Sequence, residues 1–229
     1  MTTEKYFALV MAISMFLGLV ATHSMPASGG LPKSAERSSL AYYSTLAGFH
    51  DNVGLVLPAE NFEVQAIDAN DGAECTEPLN SQSNDHCASP GELLAGFSLT
   101  SSNGNGVVIL GDQDIGQEGW VAGAKEFIAT TIISFDDADI TAVAMDVLAG
   151  LAGGLNVHVQ FFDLQGSLIG STQVSTSDRL VSEFIGVISS VPISRVELAT
   201  TQNGGELIDN LRFGTAQDPI FQDRFEVTP

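Results

Sequence analysis

Apolar and polar residues alternate with a period of two along much of the chain after residue 60, which is the periodicity of β-strands. In the stretch "LNVHVQFF", Leu155, Val157, Val159 and Phe161 fall on one face. The turn sequence "DLQG" follows it and predicts a hairpin with "SLIGSTQV". Similar runs recur between frequent turns, with no helical pattern between them, so we expect an all-β antiparallel sandwich with a jelly-roll-like topology.

Other strands are predicted wherever apolar runs are bounded by turn residues. An Asn-Gly pair between apolar runs is a strong hairpin signal, so "NGNG" predicts that "LLAGFSLTS" pairs with "VVIL". The acidic turn "DDAD", with Asp136, Asp137 and Asp139, lies between two further strands and predicts a solvated hairpin, with a cation site as the alternative. The full set of predicted strands is "NFEVQAI", "LLAGFSLTS", "VVIL", "KEFIATTIISF", "ITAVAMDVLAG", "LNVHVQFF", "SLIGSTQV", "LVSEFIGVISS", "PISRVELAT" and "GELIDNLRFG".

Before residue 60 the pattern is different. The stretch "SAERSSLAYYSTLAGF" offers Ser34 as an N-cap and places Leu40, Tyr43 and Ala47 on one stripe, which predicts one short helix. The preceding "MPASGGLPK" is typical of a linker. The predicted organisation is a signal peptide at 1–24, a linker and short helix at 25–59, a β-sandwich domain at 60–214 and a polar tail at 215–229.

The first residues have the features of an export signal. Lys5 is followed by an apolar run from Tyr6 to Val20, and Thr22-His23-Ser24 supplies small residues for cleavage after Ser24. The run is shorter than the roughly 20 apolar residues of a membrane-spanning helix, and no second such run follows. We therefore expect a secreted or cell-surface protein that has no membrane span after removal of the signal.

The charge balance is strongly acidic, with 28 acidic against 8 basic residues and a net charge of −20. Nucleic acid and anionic lipid are bound through Lys and Arg, so neither is an expected partner. Divalent cations and neutral polysaccharides remain compatible with such a surface. The alternative interpretation is that the acidity only provides solubility.

Two cysteines, Cys75 and Cys87, lie in the polar stretch "AECTEPLNSQSNDHCASPGE". An even cysteine count in an exported chain favours a disulfide, here closing a loop of about 13 residues. A metal site that includes His86 is the alternative, but the paired CxxC spacing of structural zinc sites is missing.

The predicted last strand, "GELIDNLRFG", carries an acid at its centre. Strict alternation places Asp209 on the same apolar face as Leu207 and Leu211, and we expect this face to point inward, between the two sheets. A buried and unpaired carboxylate is costly, so Asp209 needs compensation. The candidates are a cation, backbone N–H donors, or an ion pair with Arg195 or Arg212.

The later half of the chain shows a family resemblance. The stretches "VQFFDLQGSLIGS", "FIGVISSVPISRVEL" and "ELIDNLRFG" resemble secreted bacterial β-sandwich proteins, many of which carry a PEP-CTERM sorting tail. The resemblance covers about residues 60 to 214 and is clearest over 155–214. In the tail, "IFQDRFE" is similar to an Ile-Phe-x-Asp-Gly-Phe-Glu tag, with Arg224 at the position of its glycine. The hydrophobic segment and basic end of a PEP-CTERM tail do not follow.

Jelly-roll carbohydrate-binding modules, which are related to these proteins, often hold a structural calcium ion. The resemblance implies ligands from Glu60 and Glu63 near the first strand and from Asp209 on the last, and calcium prefers such oxygen donors. Asp112 and Asp114 in "GDQDIGQEGW" form a second candidate calcium site. That loop lacks EF-hand spacing, so a plain acidic turn is the alternative.

Trp120 is the only tryptophan, and it follows a glycine-rich loop. It is a candidate for stacking on a sugar ring, and a core position is the alternative. No HExxH, GxSxG, Walker or GxGxxG motif is present, although paired carboxylates for glycoside hydrolysis stay open.

These features predict an exported non-catalytic protein of the cell surface or extracellular matrix. We expect it to be stabilised by calcium and to bind a polysaccharide or cell-surface glycan. The alternatives are a purely structural or adhesive exoprotein without a small ligand, and a polysaccharide-active hydrolase.

Overall fold

The computed structural model describes residues 39–150, 154–177, 181–200 and 204–217. The predicted signal peptide, its cleavage site, Ser34 and the tail from residue 218 lie outside the described residues. The described strands and helix are β1 (Leu40–Tyr43), α1 (Leu46–Val53), β2 (Ala59–Glu60), β3 (Gly72–Cys75), β4 (Leu79–Asn80), β5 (Phe97–Ser101), β6 (Val107–Leu110), β7 (Val121–Ala124), β8 (Thr131–Phe135), β9 (Ala142–Ala149), β10 (Leu155–Phe162), β11 (Leu168–Thr176), β12 (Glu183–Ser189), β13 (Arg195–Thr200) and β14 (Glu206–Gly214).

The strands form two antiparallel sheets. One has eight strands in the order β1-β12-β9-β14-β7-β6-β3, with the short β2 pairing with β14. The other has six strands in the order β11-β10-β13-β8-β5-β4. The antiparallel β-sandwich predicted from the sequence is therefore confirmed. No helix among the described residues is long and apolar enough to cross a membrane.

Strand β9 shows how the eight-stranded sheet is buried on both faces. Val143 and Met145 point into the main core between the sheets. Ala144 points to the outer face, where Phe49 and Val53 of α1 cover it. A strand that is covered on both sides has a nearly continuous apolar sequence, and "AVAMDVLA" is such a sequence.

The segment before residue 60 differs from its prediction. Leu40–Tyr43 forms strand β1 and pairs with β12, so the predicted helix is wrong there and the sheet begins before residue 60. The helix is Leu46–Val53; the Thr45 hydroxyl accepts the Gly48 N–H at 3.2 Å, and Gly54 ends the helix at a φ of 79°. The run of aromatic residues in "LAYY" favours a strand, and Thr45 is a good N-cap, so a later helix start agrees with local preferences.

The Asn-Gly turn also differs from its prediction. Strand β5 pairs with β4 and β8 in the six-stranded sheet, whereas β6 pairs with β3 and β7 in the eight-stranded sheet. The turn therefore connects the two sheets, and the predicted hairpin is wrong. The "DDAD" turn likewise joins β8 of the six-stranded sheet to β9 of the eight-stranded sheet, so the hairpin predicted there is wrong too. The predicted strand "NFEVQAI" is an irregular segment in which Phe62 has a φ of 57° and is buried together with Val64.

The hairpin of β10 and β11 is confirmed, and its predicted inner face is buried.

The predicted disulfide between Cys75 and Cys87 is present, with a Cα–Cα distance of 5.6 Å. Asp85 organises the loop, because its carboxylate accepts backbone N–H groups of Cys87 at 2.9 Å and Thr76 at 3.2 Å. Burial raises the pKa of Asp85, but these N–H donors and that of Ala88 outweigh burial and leave the pKa below its usual value. The disulfide rules out the alternative metal site on the cysteines.

Candidate functional site

Strand β14 contains a bulge at its centre. The register pairs Asp209 with Asp146 and Arg212 with Ala144, so β14 has one more residue than β9 between these pairs. Asn210 lies within the bulge and has a φ of 51°.

The bulge changes which residues share a face. Ile208 and Leu211 belong to the main core between the sheets, whereas Leu207 belongs to a separate apolar cluster on the outer face. Asp209 lies two residues after Leu207 and before the change of face, so its side chain is on the outer face. The prediction that Asp209 faces the space between the sheets is therefore wrong, because alternation is not continuous through a bulge.

Asp209 lies in a group of polar side chains. The Asn210 side-chain amide donates to Asp209 Oδ2 at 2.9 Å and to Asp146 Oδ2 at 3.0 Å, and the Asn210 backbone N–H donates to Asp209 Oδ1. The pKa of Asp209 is raised to about 7, mainly by burial; the Asp146 and Glu63 carboxylates act in the same direction, and the Asn210 N–H and Arg212 oppose them. Burial also raises the pKa of Asp146. Two neighbouring carboxylates in partly buried positions resist ionising together.

The predicted calcium ligands do not come together around one ion. Glu60 is paired with Leu211 and points to the inner face, where its oxygens accept the N–H groups of Phe62 at 2.7 Å and Leu94 at 2.5 Å. Glu60 and Asp209 are therefore on opposite faces of the same sheet and cannot share a cation. Within the ranges that the structure describes, no group of three or more His, Cys, Asp or Glu side chains is arranged to hold a metal ion.

The acidic loop before β7 is closed by its own hydrogen bonds. Asp112 Oδ1 accepts the Gly119 N–H at 2.8 Å, and the buried Gln117 donates to the Gly119 carbonyl at 3.2 Å, while Asp114 is exposed. Gly119 also lies against Asp209, because a Cβ at this glycine would be 3.4 Å from Asp209 Oδ2. The structure thus places the loop next to Asp209, which the sequence does not predict.

Two further residues considered from the sequence, Arg195 as a partner of Asp209 and Trp120 as a sugar-stacking residue, make contacts elsewhere. Arg195 lies on the six-stranded sheet, where its guanidinium is 4.3 Å from the Phe162 ring centroid and its Nε is 2.9 Å from Glu197. Trp120 is half-buried and packs against the main core, and its indole N–H is buried without a hydrogen-bond partner among the described residues. Packing against the core agrees with the alternative to sugar stacking, but Trp120 is only partly buried, so stacking on a sugar ring stays a prediction.

A groove that the sequence does not predict lies between β1, β11 and β12. We call it the edge groove. Its volume is about 310 Å³. The lining residues that matter most are Tyr42, Thr172, Gln173, Ser175, Glu183 and Ile185. It combines an exposed aromatic side chain with several polar ones. The sequence offers "LAYY" as a signal, but the helix prediction gave Tyr42 no particular role.

Tyr42 is fixed in the edge groove by two contacts. Its hydroxyl donates to the Ser171 carbonyl at 3.1 Å, and its ring meets Phe161 edge-on at a centroid distance of 6.2 Å. The residue is still 43% exposed, so part of the ring is open to solvent. Burial of the hydroxyl raises the pKa of Tyr42, and the phenol is neutral at physiological pH.

Comparisons with known proteins give structural similarities only. No protein-family model and no curated protein sequence matches the chain. One similar solved structure is a family 6 carbohydrate-binding module, with a TM-score of 0.34 and 16% sequence identity over 65% of this chain and 95% of that one. A second is the module CsCBM6-3 from Clostridium stercorarium in complex with cellobiose, with a TM-score of 0.33 and 15% identity over 65% of this chain and 96% of that one. A third is the family 11 module of the cellulosomal cellulase Lic26A-Cel5E of Clostridium thermocellum, with a TM-score of 0.32 and 13% identity over 63% of this chain and 96% of that one. This chain spans almost the full length of each of these modules.

Proposed function

We propose that this is an exported, non-catalytic β-sandwich protein of the cell surface or extracellular matrix that binds a neutral glycan in the edge groove. The observation that carries the proposal is the exposed and fixed ring of Tyr42 beside polar side chains. A ring already held in place loses little conformational freedom on binding, which favours affinity.

The edge groove has the chemistry that a sugar ring requires. An aromatic ring offers an apolar face to the C–H groups of a pyranose. Thr172, Gln173 and Ser175 supply hydroxyl and amide groups that can exchange hydrogen bonds with sugar hydroxyls. The volume of about 310 Å³ is at the lower end of the range of small-molecule sites, which suits a short segment of glycan.

Charge favours a neutral glycan over an anionic one. Among the described residues, Glu183 is the only charged one in the lining of the groove, and the chain carries a net charge of −20. A uronate or sulfate group would meet repulsion both locally and from the whole protein.

Binding without catalysis fits this lining better than hydrolysis. Glycoside hydrolysis generally uses two carboxyl groups on either side of the scissile bond. The described part of the lining contains one carboxyl group, that of Glu183. Calcium binding stays a prediction. Among the described residues, its candidate site is Asp209 with the neighbouring side chains on the outer face of the sheet, and this site does not include Glu60.

The test is isothermal titration calorimetry of the full chain against a panel of neutral and anionic polysaccharides. Tyr42→Ala removes the ring and is expected to weaken binding by about tenfold or more. Tyr42→Phe keeps the ring, loses only the hydroxyl bond to Ser171, and is the matched control that is expected to bind nearly as well as the wild type. Melting temperatures of both variants check the fold.

Three outcomes would contradict the proposal. Absence of binding across the panel favours the structural or adhesive alternative. Equal binding by Tyr42→Ala and the wild type places any glycan site elsewhere. Release of reducing sugar from a panel member identifies a hydrolase.

A further inference from the structure

A second concave site lies where β2 meets the segment that follows the disulfide. We call it the polar cleft. Its volume is about 530 Å³, and the residues that matter here are Glu60, Gln82, Pro90, Glu92, Leu94 and Ala95. It is separate from the edge groove, because the two sites share no lining residue.

Both carboxylates of the polar cleft are held in place. Glu60 is only 4% exposed and is fixed by the two backbone N–H groups described above. Glu92 is half-buried and accepts the N–H groups of Ser89 at 2.6 Å and Gln65 at 3.3 Å. Each carboxylate oxygen can accept a second hydrogen bond, so both groups keep acceptor capacity for a ligand.

The rest of the lining narrows the class of ligand. No Lys or Arg is found among its described residues, so an anion would face two carboxylates without compensation. The same described residues include no aromatic side chain that could stack on a sugar ring. Pro90, Leu94 and Ala95 provide apolar surface beside the charges.

We propose that the polar cleft binds an ammonium or guanidinium group carried on an alkyl stem. Glu92, the more exposed acid, contacts the cationic group, while Glu60 adds negative potential from the wall. The apolar lining packs against the stem, as it does for buried lysine and arginine side chains. Two sources share this chemistry: a free polyamine, and a Lys or Arg side chain of a peptide.

The test titrates the full chain with spermidine, acetyl-lysine amide and acetyl-arginine amide at low ionic strength, with acetyl-norleucine amide as the neutral analogue. Glu92→Gln is expected to weaken binding of the cationic probes by about tenfold, the value of one charge-assisted contact. Glu118→Gln, an exposed acid outside the cleft, makes the same change in net charge and is expected to leave affinity nearly unchanged. Stronger binding of spermidine assigns the polyamine, and stronger binding of the amino-acid amides assigns a basic side chain.

A second pair of variants separates charge from shape. Ala95 is exposed in the lining, so Ala95→Arg places a tethered guanidinium beside the two acids without disturbing the core, and it is expected to abolish binding. Ala95→Glu adds a side chain of similar reach with the opposite charge and is expected to retain binding.

Four results would overturn the proposal. They are no binding by any cationic probe, equal binding of the norleucine amide, equal losses in Glu92→Gln and Glu118→Gln, and equal losses in both Ala95 variants. Melting temperatures establish that each variant is folded.

Discussion

Glu206 is the acid that lies between the two sheets, and it makes a quantitative prediction. It is 2% exposed on the same face of β14 as Ile208, and its Oε1 accepts the Thr131 N–H of the opposite sheet at 2.9 Å. Its Oε2 is buried without a hydrogen-bond partner among the described residues. Burial, only partly offset by the Thr131 hydrogen bonds, raises the pKa of Glu206 from 4.5 to about 7.

The raised pKa makes folding stability depend on pH. Between pH 4.5 and about pH 7 the folded protein keeps a proton on Glu206 that the unfolded chain has released. Stability is therefore full below pH 4.5, falls as the pH rises through this window, and levels off above pH 7. At about 1.4 kcal/mol for each pH unit of the window, the free energy of unfolding falls by about 3 kcal/mol.

Glu206→Gln isolates this effect. The variant keeps an oxygen that accepts the Thr131 N–H and has no proton to lose, so its stability is independent of this titration. Urea unfolding of both proteins from pH 4 to pH 8.5 is expected to show the wild type losing about 3 kcal/mol relative to the variant. The other carboxyls with raised pKa values are present in both proteins, so their contributions largely cancel.

The matched control is Glu118→Gln, an exposed acid, whose difference from the wild type is expected to stay flat over the same range. A flat difference for Glu206→Gln as well would refute the reasoning, because it would mean that the buried carboxyl titrates alike in the folded and unfolded chain.

Two further predictions concern the cross-link and the metal. Replacing Cys75 and Cys87 together by alanine is expected to cost about 3 kcal/mol in urea unfolding, the value for a loop of about 13 residues, and an unchanged midpoint would contradict the loop-entropy account. If calcium is bound at Asp209, EGTA lowers the melting temperature of the wild type and not of Asp209→Asn; identical curves with and without EGTA would exclude a stabilising calcium ion.

The sequence was most informative where burial and pairing are both local. In the β10–β11 hairpin the partner strand follows after one short turn, so alternation from Leu155 to Phe161 gives both the buried face and the pairing. The disulfide was predictable for the same reason, because its loop is short. Between β5 and β6 the same kind of turn joins different sheets, since alternation reports which face is buried and not which strand lies beside it.

The candidate site depended on features that a period of two does not encode. A single extra residue in β14 moves Leu211 to the inner face and leaves Asp209 outside. The one local signal was Asn210, since asparagine is among the few non-glycine residues that readily adopt positive φ. The edge groove is not predictable from the same pattern, because the sequence places Tyr42 in a helix. The groove forms only when Tyr42 lies on a strand at the edge of the sheet.

The density of acids before β7 has a structural cause that competes with metal binding. Long irregular segments leave backbone N–H groups without a ladder partner, and each must be satisfied. Carboxylates do this repeatedly here: Glu77, for example, accepts the N–H groups of Ser101 at 3.0 Å and Gly106 at 2.9 Å. Two of these bonds run from a carboxylate to the N–H two residues later, namely Glu60 to Phe62 and Asp85 to Cys87. The same spacing recurs after β7, from Asp137 to Asp139 and from Asp163 to Gln165. This spacing is that of side-chain-capped turns, so an acid in such a chain is first a candidate turn acceptor. Glu60 makes two such bonds on the inner face of the sheet, opposite to the face that carries Asp209, so it is not a ligand of a calcium ion held by Asp209.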